Sequence, residues 1–416
     1  MTYDVIIIGG GPAGATAAMT LAQAGRRVLV LEREKFPRFH IGESLLPYNR
    51  PLFEKLGVWE KIASAGFMPK RGAQFWLGDG SKHVRVTFAN GVFTEFPEAL
   101  QVERATFDHI LLDHARACGA EVREECSVLD HTITEDGVTV RHRHCDGTEA
   151  EATAAFLMDA SGMANVTANR AGLRKVYPNH RKVAIFGHFM NVDMPREEKL
   201  GDILIVRRRN SWCWLIPLTM EKTSVGLVLD SADLKASGLT PEQFFADAVE
   251  KTSELHRRLS AAQRCEPLRV LSDFSYRNSA LVAPRLMRVG DASGFIDPIF
   301  SSGVLLAMQG GNTAAECVHE ALSLGRTMTP AMRGYERSTR RRIAAFWEFI
   351  EKFYTDHFTQ LFFEPQDIFK LPSAVNAILA GRTDLPFAAR WRLRFFFLLV
   401  WLQKRFPLAP KTEIPA

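Results

Sequence analysis

The sequence predicts an α/β fold: a β-α-β unit at the start, an inserted β-sheet layer, and a helical C-terminal region. Three observations carry this reading. A β-branched run, Asp4-Val5-Ile6-Ile7-Ile8, ends in a glycine-rich turn, and a small-residue helix follows it. Residues 180–230 hold successive apolar runs rich in Val, Ile and Trp at strand length. From residue 303 onward, apolar residues recur with helical spacing.

The first unit is the most specific. Gly9-Gly10-Gly11-Pro12-Ala13-Gly14 reads Gly-x-Gly-x-x-Gly, placed between a strand and a helix. Gly9 permits the tight turn, Gly11 leaves room for a pyrophosphate, and Gly14 lets helix and strand pack closely. Pro12 suits the first helical turn, where its missing N–H has no partner to lose. The N–H groups at that helix start, including those near Ala13, favour phosphate. A second strand, Arg27 to Leu31, ends at Glu32, 18 residues after Gly14, where an acid can accept from a ribose. The pattern predicts a Rossmann-like dinucleotide site. Arg33, Arg38 and Ser44 follow in a charged loop and are further candidate contacts.

Two short helices are expected over about 46–66, and strands over 72–100, where Gly78, Gly80 and Gly91 mark turns. Val102 to Ala117 reads as a helix with Phe107, Ile110, Leu111 and Ala115 on its apolar stripe. Strands are expected around 120–126, 137–143 and 153–158, the last running into Asp159-Ala-Ser-Gly162. A helix is expected at 241–263 and a strand at 286–290 leading into Gly290-Asp291. Helices then fill 303–323, 330–363 and the C-terminus. The expected organisation is discontinuous: 1–70, 98–165 and 270–330 bind the nucleotide, 71–97 and 166–269 form the inserted sheet, and 331–416 is helical.

At 416 residues the chain holds two or three cores' worth of sequence. A net charge of +5 is too mild to argue for nucleic acid. The six cysteines include no Cys-x-x-Cys pair, so neither a metal site nor a thiol redox pair is expected. The chain starts on a core strand, which suggests a reducing, cytoplasmic setting. Phe395 to Leu402 is an eight-residue apolar run flanked by Arg390, Arg392, Arg394, Lys404 and Arg405. Residues 387–406 suit either a helix docked on the body or one in peripheral contact with a membrane or partner.

A second phosphate-and-sugar site argues for FAD over a nicotinamide alone. Asp159 ends one strand among small residues. Gly290 and Asp291 end another, where the acid can take a ribityl or ribose hydroxyl. Arg104 opens a helix from which a cation can reach a phosphate or adenine, although a solvated helix-end arginine fits as well. These residues resemble the FAD-dependent monooxygenase superfamily with the para-hydroxybenzoate hydroxylase-like fold. The resemblance implies FAD contacts at Gly9, Gly11, Gly14, Glu32, Arg104 and Asp291, and a substrate cavity covered by the inserted sheet.

Trp212-Cys213-Trp214-Leu215-Ile216-Pro217 is similar to the Trp-x-Trp-x-Ile-Pro pattern of the flavin-dependent halogenases. Lys70 falls where that family carries its active lysine. The stretches Lys35 to Pro47 and Phe295 to Val304 look like the branch acting on phenols, pyrroles and carrier-protein-tethered substrates. The resemblance implies that reduced FAD, oxygen and halide give hypohalous acid, which Lys70 holds as a hydrogen-bonded acid or as a haloamine. A buried amine of depressed pKa suits that task, whereas a charged turn would leave it an ordinary surface lysine. Trp212 and Trp214 would separate flavin from substrate, or simply pack the core. Ser302, Gly303 and Val304 start a helix, and Ser302-Gly303 is the expected halide site. Asp297 and Glu43 stay open, as a flavin contact or turn acid and as a proton handler or partner for Arg38. No second dinucleotide site is visible, so a separate flavin reductase is expected. The rivals are an aromatic hydroxylase, a reductase of apolar chains similar to geranylgeranyl reductases, and a flavin-bearing protein without turnover.

Overall fold

A computed structural model describes residues 2–178 and 180–414. Residues 1, 179, 415 and 416 fall within the expected segments but outside this description. The first sheet runs Val282–Ala283, Leu286–Arg288, Glu149–Asp159, Tyr3–Ile8, Val28–Leu31, Glu121–Arg123. The four strands from Leu286–Arg288 to Val28–Leu31 are parallel, with Val5 opposite Phe156 and Val28. Val5, Ile6 and Ile7 are fully buried because both faces are covered, which explains an unbroken apolar run instead of an alternating one. Helices Pro12–Gln23 and Arg104–Ala117 cover one face. The hairpin Cys126–Ile133 and Val138–His144 covers the other. Three parallel strands end at the same edge, in the turns at Gly9, Asp159-Ala160 and Gly290, the edge where such sheets bind ligands.

The second sheet runs Gln263–Arg264, Lys182–Met190, Lys222–Asp230, Ser211–Pro217, Ile203–Arg207, Gly72–Leu77, His83–Thr87. Ile203–Arg207 pairs parallel with Gly72–Leu77, so two segments far apart in sequence share this sheet. One face carries Phe75, Phe186, Trp212 and Trp214 into an aromatic core with the C-terminal helices. The other face packs Val183, Ile185 and Leu227 against Phe245 and Leu255 of two short helices. Met68–Lys70 joins neither large sheet; it pairs with Ala99–Gln101, and Ser44 bridges to Gln101.

The sequence reading differs in several places: the strands expected over 72–100 stop at Thr87 and resume at Ala99, and the short helix Ser231–Ser237 was not expected. The expected 330–363 helix is two, Pro330–Phe353 and Asp356–Phe362, because the Thr355 hydroxyl caps the second by accepting from Phe358 N at 3.3 Å. The 241–263 helix breaks at Thr252, a β-branched residue in extended conformation. The strand Cys126–Ile133 was masked by Ser127, Asp130 and Thr132, which face outward.

Helix Phe387–Gln403 docks on the body through Leu393, Phe396, Phe397 and Val400. It also leaves Phe387, Leu398 and Trp401 exposed. Among the described residues no helix is long and apolar enough to cross a membrane.

Candidate functional site

The glycine turn is built as its spacing requires. Gly9 has φ +97°, and a Cβ there would stand 2.5 Å from Ala160 O. A Cβ on Gly14 would stand 1.9 Å from Gly9 O. Gly11 differs: the nearest atom to its imagined Cβ is Arg38 Nη2 at 3.6 Å, so the space beside it is open. Pro12 occupies the first helical turn. Glu32 is buried; its carboxylate accepts from Gly10 N at 2.6 Å and from Glu34 N at 2.9 Å. Ala13 binds the two halves of the site together. Its Cβ would meet a Cβ on Gly290 at 2.8 Å, and its carbonyl would meet one on Gly311 at 2.3 Å.

Four expected contacts need correction. Asp159 is not offered outward: Ser161 N and Oγ occupy one oxygen, and Thr167 N and Oγ1 the other. It caps its own loop. Arg104 is buried, with Nε and Nη2 on Asp108 at 2.7 and 2.8 Å and Nη1 donating to Ile41 O at 2.6 Å. It fastens the 41–43 loop instead of extending to a phosphate. Arg38, paired with Asp108 at 3.0 Å, is the guanidinium that faces Gly11. Arg33 is exposed and joins none of these contacts. The Val304 side chain is buried in the hydrophobic core, so only its backbone N–H can serve a ligand.

The remaining residues fit FAD. Asp291 lies beside Gly290 in one cleft with Ser302 and Gly303. Burial raises its pKa to about 6, and Arg104 opposes the rise. Helix Gly303–Ser323 begins there, and its first N–H groups have no intrahelical acceptor. The Ser44 hydroxyl, Glu43 Oε2 and Gln101 Oε1 are buried without hydrogen-bond partners. Orphaned buried polar atoms are what a polar cofactor would satisfy.

Lys70 is 1% exposed. It ends the short strand Met68–Lys70 instead of sitting in a charged turn, because the strand turns it inward while Arg71 pairs with Glu98 outside. Its Nζ donates to Leu45 O at 2.9 Å and stands 5.6 Å from the Phe88 ring. Burial pulls its pKa down from 10.5 to about 7, and Asp202 only partly offsets this.

Trp212 and Trp214 face the same side, with ring centroids 5.8 Å apart. Trp214 lies on Gly226, where any Cβ would strike the indole at 2.1 Å, and donates to Ser224 Oγ at 3.1 Å. It also packs near Phe186, which stacks on Phe39 in the 35–47 loop. Trp212 Nε1 donates to Tyr354 Oη at 2.8 Å, and that hydroxyl donates to Asp297 at 2.9 Å. His180 Nε2 lies 2.7 Å from the same Asp297 oxygen, and the other oxygen accepts from Ile299 N. Asp297 is thus an internal hub. Glu43 pairs with His188 at 2.7 Å, not with Arg38. Sequence reading missed His180, His188 and Tyr354; they are far from their partners along the chain and carry no local motif. We expect Tyr354→Phe to leave the Trp212 N–H unpaired and to cost about 1–3 kcal/mol, read as a lower Tm with altered tryptophan emission.

The FAD binding domain family matches residues 2–348. A 1H-pyrrole-2-carbonyl-(peptidyl-carrier protein) chlorinase of Pseudomonas fluorescens is 34% identical over 375 residues, 85% of this chain and 83% of that protein. A brominase of the corresponding substrate from Pseudoalteromonas luteoviolacea is 32% identical, over 79% of this chain and 80% of its own. Among solved structures, the myxobacterial chondrochloren halogenase CndH superposes with TM-score 0.81 at 31% identity, covering 96% of this chain and 97% of that one. The flavin-dependent brominase Bmp2 superposes with TM-score 0.86 at 26% identity, over 97% and 99%. With its cofactor bed, its buried lysine and these relatives together, the chain belongs to the FAD binding domain family and, within it, to the flavin-dependent halogenases.

Proposed function

We propose that this chain halogenates an electron-rich aromatic ring of phenol or pyrrole type, with Lys70 as the halogen carrier. The burial of Lys70, with its amine titrating near pH 7, is the observation that carries the reading. Bound reduced FAD, supplied by a separate reductase, provides with oxygen the oxidising power that turns halide into hypohalous acid. Arg38 and the Gly11 turn hold its phosphates, Glu32 and Asp291 its sugar hydroxyls. The free N–H groups at Ser302-Gly303 hold the halide. Trp212 and Trp214 wall the flavin side from the organic ring.

The neutral Lys70 amine keeps one lone pair while an N–H donates to Leu45 O. That lone pair takes the halogen from hypohalous acid: the N–X bond forms, the X–O bond breaks, and water leaves with the amine proton. The ring carbon then takes the halogen and loses its own proton, which restores the amine.

The named substrates of the two pyrrole-2-carbonyl relatives support a carrier-borne ring as one form to test. Arg337, Arg340, Arg341 and Arg342 form a basic cluster that could meet an acidic carrier, but it is half spent: Arg340 pairs with Glu336 and caps Asn278 O, and Arg342 reaches Gln309. Only Arg337 and Arg341 of the four are exposed. The test is incubation with a flavin reductase, NADH, oxygen and bromide, offering phenols and pyrroles free and carrier-loaded, read by mass spectrometry. A brominated product is expected. An oxygenated product without halogen would assign the chain to aromatic hydroxylation instead.

A further inference from the structure

A cavity of about 460 Å³ lies between the edge strand His83–Thr87 and the C-terminal helices. Val84 and Val86 form its floor; Phe362, Val375, Phe396 and Leu399 form its walls. Its size is within the range of about 300–1,000 Å³ usual for sites that take drug-sized ligands. A bare phenol or pyrrole would leave most of it empty. Protein interiors do not normally leave apolar space of this size unfilled.

The two ends of the cavity differ. At the inner end, Thr87 leads directly into Phe88, whose ring stands 5.6 Å from Lys70 Nζ. Asn376 also lines the cavity, and its Nδ2 donates to Thr87 O at 2.7 Å, which ties the helical wall to the strand beside Phe88. At the outer end, Ile368 and Leu408 line the cavity while each is 45% exposed. The mouth is therefore open to solvent, with apolar side chains standing beside Glu364 and Gln366. The pair Lys82–Glu364 stands at its rim, with Lys82 also donating to Thr412 Oγ1 at 3.0 Å.

We propose that this cavity holds an apolar tail on the aromatic substrate. The ligand class is an alkyl-substituted phenol or pyrrole, its tail among Val86, Val375 and Phe396 and its ring at the Thr87–Asn376 end, beside the strand that leads to Phe88 and Lys70. The placement of the ring rests on the reading of Lys70 as halogen carrier; the binding of the tail does not. The larger, apolar part of the lining, Val84, Val86, Phe362, Val375, Phe396 and Leu399, suits a hydrocarbon tail; a carrier-protein arm, rich in amides, would need the polar part, such as Gln366 and Ser373, to pair its hydrogen-bonding groups.

The test uses the full FAD-loaded chain, calorimetry, and 4-heptylphenol beside phenol as probes. Heptylphenol should bind at least about tenfold more tightly than phenol, since each buried methylene adds apolar contact. Val375→Trp should remove at least about tenfold of the heptylphenol affinity and leave phenol binding unchanged, because the indole fills the tail space. Flavin absorbance and Tm report whether the variant is folded. Should it unfold, Val84→Trp on the half-buried edge strand makes the same test. Equal binding of the two phenols by the wild type would overturn the proposal, as would heptylphenol binding that the folded variant leaves untouched. Displacement of heptylphenol by an equimolar pantetheine-linked pyrrole would also overturn it, assigning the cavity to a carrier arm. Heptylphenol bound in the cavity but never halogenated would support the site and overturn the reading of Lys70 alone.

Discussion

Lys70→Ala is expected to lower halogenation by at least about a hundredfold, the scale on which a positioned proton-transfer or nucleophilic group acts. Oxygen uptake with a reductase and NADH should continue at the wild-type rate, because the Lys70 amine donates to Leu45 O and not to the glycine turn. A fall in both would mark the change as structural. The pH profile gives a second readout. The amine titrates near 7, so product formation should rise through about pH 7 and level off as the neutral form saturates. Stability should follow the same direction. The folded pKa lies below the unfolded value of 10.5, so between these two values the unfolded chain binds more protons, and stability grows as pH rises. Below pH 7 a buried ammonium must be carried in full. Lys70→Met removes that burden; it should raise Tm at neutral pH while abolishing halogenation. A variant that is more stable and inactive separates a functional lysine from a structural one.

Gly14 and Gly11, three residues apart in one turn, should fail in opposite ways. Gly14→Ala places a methyl 1.9 Å from Gly9 O, a backbone atom held by the first strand. The collision has no rotamer to escape into, and we expect more than about 3 kcal/mol of destabilisation. Low expression or a sharply reduced Tm is the measurement. Gly11→Ala meets only Arg38 Nη2, at an ordinary 3.6 Å. The unliganded fold should melt normally, yet FAD affinity should fall at least about tenfold because the methyl stands where a pyrophosphate must approach. A flavin fluorescence titration reads it directly. Unchanged affinity in Gly11→Ala would move the phosphates away from this turn.

Much of the cofactor bed was legible because its logic is local. Gly9, Gly11 and Gly14 answer to neighbours within a few residues, and a strand-turn-helix pattern announces them. Lys70 was legible only through resemblance. Its burial depends on pairing with Ala99–Gln101, and the adjacent Arg71 argues on its own for a surface turn. Asp159 and Arg104 show the converse. Each has the right chemistry at the right strand or helix end, but Ser161, Thr167 and Asp108 satisfy that chemistry first. The contacts His188–Glu43 and Trp212–Tyr354 span 145 and 142 residues. No periodicity or spacing encodes such meetings: the second sheet crosses the loop after the first unit in one case and packs on the end of helix Pro330–Phe353 in the other.

Ala13 leaves almost no slack between the opening helix and the turn that begins the final third of the chain. Mechanically it is a keystone: a bulkier residue there would wedge the opening helix away from Gly290 and Gly311. A change at Ala13 is therefore felt at once by the first turn and by the Gly290 turn, and neither can be adjusted while the other stays fixed.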